Sequence, residues 1–170
     1  MHVFGALLTI LACVSSAFAQ TSDQTKVILA SDKKTQITVP STWQPLTLND
    51  TAEIQIGNED EGCFIIVLNE AKEDLYGWNL DKHSRVGLGN LLSNIAFPTI
   101  TGPKSVTING QPAVQYEVRG AAENRNLAYI HTTVDGAKFF SQIIAWTVPS
   151  KLEAARPKLL SAIATFRETK

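Results

Sequence analysis

Between Thr101 and Trp146 the chain carries four runs of β-forming residues, TGPKSVTI, QPAVQYEVR, RNLAYIHTTV and AKFFSQIIAW. Two of the three joints are Asn109-Gly110 and Asp135-Gly136. Tight hairpin turns need positive φ, which Asn, Asp and Gly adopt most easily, so these joints predict strands that fold back on one another in succession. In QPAVQYEVR, Pro112, Val114, Tyr116 and Val118 alternate with Gln111, Ala113, Gln115, Glu117 and Arg119. That two-residue period describes a sheet with one dry and one wet face. A two-residue turn at Asn109-Gly110 would put Val106 and Ile108 on the glutamine side, so a bulged three-residue loop with Val106 opposite Pro112 is preferred. The run from Phe139 to Trp146 is apolar on both faces and reads as a central strand; its register across Asp135-Gly136 stays open.

The first 19 residues contain no Asp, Glu, Lys or Arg, are apolar from Val3 to Ile10 and beyond, and end in Ala17-Phe18-Ala19. A short hydrophobic run before a small-x-small site predicts a cleaved signal peptide over residues 1–19, with one globular domain over 20–170 and a periplasmic or secreted destination. Ile10-Leu11-Ala12-Cys13 offers a lesser alternative, a lipoprotein box with Cys13 acylated. No second run is long enough to span a bilayer. Removing the leader leaves Cys63 as the one cysteine, so stability must come from the core rather than from cross-links. Within Cys63-Phe64-Ile65-Ile66-Val67-Leu68 that cysteine reads as a small buried hydrophobe rather than a reactive thiol.

Elsewhere, residues 20–26 read as a flexible polar lead-in. Val27 to Ala30 and Thr35 to Val39 read as short strands around a Ser31-to-Lys34 turn. Pro40 and Pro45 forbid a regular helix interior or central strand and predict an irregular corner pinned by Trp43. Ala52 to Gly57 and Cys63 to Leu68 are two further strands. Asp74 to Ile95 is helical, with Leu88, Leu91, Leu92 and Ile95 on one face and Gly87 and Gly89 weakening it unless they pack closely on something. A terminal helix is expected behind a Ser150/Glu153 capping box, kinked or restarted at Pro157.

The charge balance, 15 basic against 16 acidic residues, provides no basic face for nucleic acid and no electrostatic membrane anchor, Lys33-Lys34 being the sole adjacent basic pair. Nothing among the residues predicts a catalytic, cofactor-binding or metal-binding set. His83 reads as part of a solvated helical face and His131 as a surface or hydrogen-bonded structural residue, without the spacing of metal ligands. Nucleophile elbows and phosphate loops are missing, and Glu117, the carboxylate nearest an apolar setting, alternates outward. The acidic tip Glu59-Asp60-Glu61 lacks the oxygen spacing of a calcium loop and reads as a solvated turn. Trp43, Trp78 and Trp146 read as core anchors, with Trp146→Ala costing roughly 3 to 5 kcal/mol.

Val39-Pro40 followed by Trp43, Ile108-Asn109-Gly110 with Pro112-Ala113, the strand ending Ala145-Trp146, and the helix from Leu160 to Phe166 together resemble the PsbP-like fold family, the group of PsbP, Mog and DcrB-type bacterial envelope proteins. The resemblance implies an α+β chain, an α/β/α sandwich whose central, mostly antiparallel sheet is flanked by helices, in agreement with the doubly apolar last strand. It also implies a non-enzymatic binding or assembly factor. The leading expectation is therefore an exported accessory protein of the bacterial envelope that binds another envelope protein. Two rivals stand beside it. One is a small-ligand or metal-ion carrier using Glu59, Asp60, Glu61 or His131; the other is an enzyme in which His131, Cys63 and a carboxylate converge.

Overall fold

The computed structural model describes residues 24–169; the predicted leader and the Cys13 alternative lie outside them. Its strands are β1 Thr25–Leu29, β2 Thr35–Pro40, β3 Gln44–Pro45, β4 Ile54–Asn58, β5 Cys63–Ala71, β6 Ala96–Ile108, β7 Gln111–Ala122, β8 Arg125–Asp135, β9 Phe139–Thr147 and β10 Arg167–Glu168, with helices α1 Leu80–Leu92 and α2 Leu152–Ala164. Seven strands form one sheet in the order β3-β4-β5-β9-β8-β7-β6, and β1-β2-β10 form a second. All pairings are antiparallel. Consecutive strands β6 to β9 are neighbours, as the turn residues predict, and β9 sits between β8 and β5 with its residues buried on both faces.

Alternation along β9 divides the interior in two. Ile143 and Ala145 face a core shared with Ile37, Trp43 and α2, whereas Ile144 faces a second core with Leu88 and Ile95 of the α1 segment. The helices therefore cover opposite faces, and the architecture is the sandwich expected. It also explains why the preferred β6–β7 loop is wrong. Ile108 pairs with Gln111 and Val106 with Ala113 across a two-residue turn, and Asn109 and Gly110 both have positive φ, 47° and 84°, as a type I′ turn requires. The supposed wet face of β7 lies under α2 and the small sheet, so Val106, Ile108 and Ala113 meet in one core.

Other boundaries move for equally local reasons. The lead-in is shorter than expected, because β1 starts at Thr25 and pairs with Pro40 at the end of β2. Strand β6 begins at Ala96, well before Thr101, with register shifts between Ala96 and Thr99 and between Thr101 and Lys104. Helix α1 starts only at Leu80, where the Asn79 side chain accepts a 2.8 Å bond from the Lys82 amide. Helix α2 follows a 3-10 turn, Pro149–Lys151, and makes no side-chain cap, so the Ser150/Glu153 box does not form. It runs unbroken through Pro157. A proline there costs about 3 kcal/mol, but burying Leu152, Leu159 and Ile163 of the helix at about 1.5–3 kcal/mol each outweighs that.

Candidate functional site

The interior on the α1 side is polar in one place. His131, fully buried on β8, donates from Nε2 to Gln142 Oε1 at 3.2 Å, and Gln142 Nε2 donates to Glu70 Oε1 at 3.1 Å. The acceptor at Glu70 fixes which end of the amide points to it, and so fixes the histidine as the Nε2–H tautomer. His83 Nε2 lies 3.3 Å from the same Glu70 oxygen but makes no hydrogen bond to it. Its ring stacks on Phe140 with centroids 4.8 Å apart and meets Trp78 edge-on at 5.9 Å. Only Glu70, with 44% of its side chain exposed, connects this chain of groups to water.

His83 is thus 1% exposed, not part of a solvated helical face. One turn before Gly87 on α1, it lies on the side that meets the sheet. Burial pushes His131 and His83 below the ordinary histidine value of 6.5, and for His83 the Glu70 carboxylate opposes this only in part. Both are neutral when folded at neutral pH, while the unfolded chain takes up protons near 6.5. The unfolded state then binds more protons in the interval below 6.5, so stability falls as pH falls through it. Urea midpoints measured from pH 7.5 to 5.0 should decline, and His131→Gln should flatten the decline; a profile level above pH 5 would show that the histidines are not buried as described.

Three of the large hydrophobic side chains left exposed lie in or beside α1. Tyr76, just before the helix, is 98% exposed; Val86 projects outward from it; Phe97, just after it, is 93% exposed. Half-buried Trp78 lies under the Lys82 ammonium, 4.5 Å from its ring centre, and a shallow cleft of about 300 Å³ bounded by Lys72, Tyr76, Trp78 and Phe140 opens beside it. Phe97 sits in the first register shift of β6 with φ of 52°, a left-handed conformation that is unfavourable for a bulky side chain. Bulges of this kind re-aim side chains away from the ladder.

The residues weighed from sequence do not converge. Cys63 packs in the α2-side core, and burial raises its thiol pKa; His131 belongs to the opposite face, beside Tyr116. The enzymatic triad of His131, Cys63 and a carboxylate is therefore not assembled. Glu61 pairs with Lys158 of α2, and Lys151 Nζ in the preceding 3-10 turn donates to the carbonyls of Asp60 and Glu61 at 3.1 Å, so cations of α2 and of the turn before it tie down the tip at Asp60 and Glu61. Among the described residues no group of three or more His, Cys, Asp or Glu side chains could hold a metal ion. Glu117 does not point into solvent: Arg156 of α2, 2.6 Å away, holds its carboxyl below the usual range. Trp43 is the fully buried tryptophan, whereas Trp146 is half-buried and stacks on Phe64. Sequence reasoning missed Glu70, Gln142, Tyr76 and Phe97. The signal for Gln142 was present, since a polar residue within Phe139–Trp146 must find a partner when buried.

No protein-family model matches the chain, and no curated protein sequence matches it. Solved structures do. Cyanobacterial PsbP (CyanoP) from Synechocystis superposes with a TM-score of 0.63 at 8% identity, covering 92% of this chain and 99% of that one. LpqN from Mycobacterium tuberculosis, described as involved in cell envelope biogenesis, gives 0.60 at 16% identity over 86% and 91%. The Saccharomyces cerevisiae Ran-binding protein Mog1p gives 0.58 at 12% identity over 86% and 96%. The chain has the PsbP/Mog1-like fold.

Proposed function

We propose that this is a non-enzymatic binding or accessory protein of the bacterial envelope, exported by the leader at residues 1–19 and acting on another envelope protein. The observation that carries the reading is the pair of nearly fully exposed aromatic side chains, Tyr76 and Phe97, that bracket α1. Aromatic residues are enriched at protein contact sites, and tyrosine is among the residues that dominate binding energy. The fold supports the same reading, because it is shared with CyanoP and with the envelope-biogenesis protein LpqN. The local strain at Phe97 is a further support, since strained backbone collects where function requires it.

Export and binding are tested separately. The periplasmic fraction of the source cell should contain a species whose mass begins at Gln20. A photo-crosslinking residue placed at 76 or 97 should capture one defined envelope protein, and the Tyr76→Ser/Phe97→Ser double variant should lose that partner by at least tenfold while keeping its melting temperature. Crosslinks that are equally strong from Lys26, a residue of β1 away from α1, would overturn the assignment of the surface.

A further inference from the structure

A second feature, away from the exposed aromatics beside α1 and sharing only Lys72 with the cleft there, lies where the ends of the two sheets meet. Four segments line a partly open cavity of about 620 Å³: the β1–β2 turn, the C-terminal strand, the end of β5, and the β8–β9 turn. That volume is within the range of sites that bind small molecules. Lys33, Lys34, Lys72 and Lys138 line it, against the carboxylates of Glu73 and Glu168. Lys72 is engaged by Asp135, and Lys34 lies 3.8 Å from Asp32. Among the described residues Lys33 and Lys138 have no carboxylate within ion-pair distance.

Within this cavity the chain already holds an anion. Glu168 Oε1 accepts from the backbone amides of Lys138 and Phe139, both at 3.0 Å, and Oε2 accepts from the Lys138 amide at 3.2 Å. Two consecutive amides aimed at one carboxylate form an anion-binding nest. The turn is shaped to it, because a Cβ on Gly136 would stand 2.2 Å from Glu168 Oε1. The strand that delivers this carboxylate is only two residues long and pairs with β2 alone. The Phe139 ring, with the Lys34 ammonium 5.6 Å from its centre, gives the same cavity an apolar wall.

We propose that the cavity is a binding site for a small organic anion, bearing a carboxylate or phosphate group, which displaces the Glu168 side chain from the Lys138 and Phe139 amides and pairs with Lys33 and Lys138. Glu168 stands in for that ligand in the free protein and sets the threshold it must exceed. Charge-assisted bonds to paired amides and free ammonium groups favour a doubly charged ligand and weaken with salt.

The test is a titration of the isotope-labelled full chain with inorganic phosphate and, separately, with succinate, following amide resonances. Saturable shifts at Lys138 and Phe139 are expected, at least fivefold tighter in Glu168→Ala and lost in Glu168→Ala/Lys33→Ala/Lys138→Ala. The anion that saturates at lower concentration identifies the group recognised. Glu168→Gln, which keeps the side chain's shape but not its charge, serves if the alanine variant unfolds, with an intermediate gain. Shifts absent from the folded Glu168 variants, or undiminished in the triple variant, would overturn the proposal.

Discussion

Trp43→Ala is expected to lower the unfolding free energy by about 3–5 kcal/mol, the range for removing a large buried aromatic side chain. Trp43 is 0% exposed and packs in the core that also holds Ile37, Val39, Ile54 and Ile56. Full burial of an indole removes up to about 250 Å² from water, roughly 6 kcal/mol gross at the usual coefficient. One term works against it, because the ring Nε1 is buried with no hydrogen-bond partner. Trp43→Phe deletes that unpaired donor and retains most of the apolar contact, so it should cost far less, about 1–2 kcal/mol. Trp146→Ala removes a half-buried ring stacked 5.4 Å from Phe64 and should cost less than Trp43→Ala, about 2 kcal/mol. Urea denaturation of the three variants decides the order. Equal losses for Trp43→Ala and Trp146→Ala would contradict the burial that places the tighter anchor at the Pro40-to-Pro45 corner.

What could be read in advance followed from periodicity and turn chemistry. Asn109-Gly110 and Asp135-Gly136 announced hairpins whatever lay above the sheet, and the doubly apolar Phe139-to-Trp146 run announced a central strand. The errors came from side chains whose setting depends on distant chain. Glu117 alternates with valines and so read as solvated, yet Arg156, far along the sequence, crosses the sheet face to meet it. The same hidden face misdirected the β6–β7 loop, since Val106 and Ile108 had to be assigned to the dry side of β7, and the Ala113 side also meets a core. His83 read as solvated because its sequence neighbours Asp81, Lys82 and Arg85 are charged, and only helix phase against β9 buries it. The Glu168 contact was invisible for another reason. It joins the terminal strand to a turn through backbone amides, and main-chain donors leave no trace in residue identity.

Gly87 and Gly89 lie two residues apart on α1 and should respond in opposite directions to alanine. Alanine is favoured over glycine inside a helix by about 1 kcal/mol, and at exposed Gly89 a Cβ would have nothing within 4 Å, so Gly89→Ala should stabilise by about 0.5–1 kcal/mol. At Gly87 a Cβ would stand 2.2 Å from Gln142 Oε1 and 2.6 Å from its Cδ. Gln142 is 6% exposed and holds both His131 and Glu70, so it cannot swing away without breaking two hydrogen bonds. His131 Nδ1 already lacks a partner, and losing the Nε2 contact leaves the buried ring with none. Stranding a buried polar group costs about 1–3 kcal/mol, which exceeds the helix gain; Gly87→Ala should therefore destabilise by roughly 1–2 kcal/mol. In a Gln142→Ala background the obstruction is gone, and the same Gly87 substitution should become neutral or stabilising, a coupling that a double-mutant cycle measures directly. If Gly87→Ala stabilises the native chain as Gly89→Ala does, then α1 does not press against β9 at Gln142.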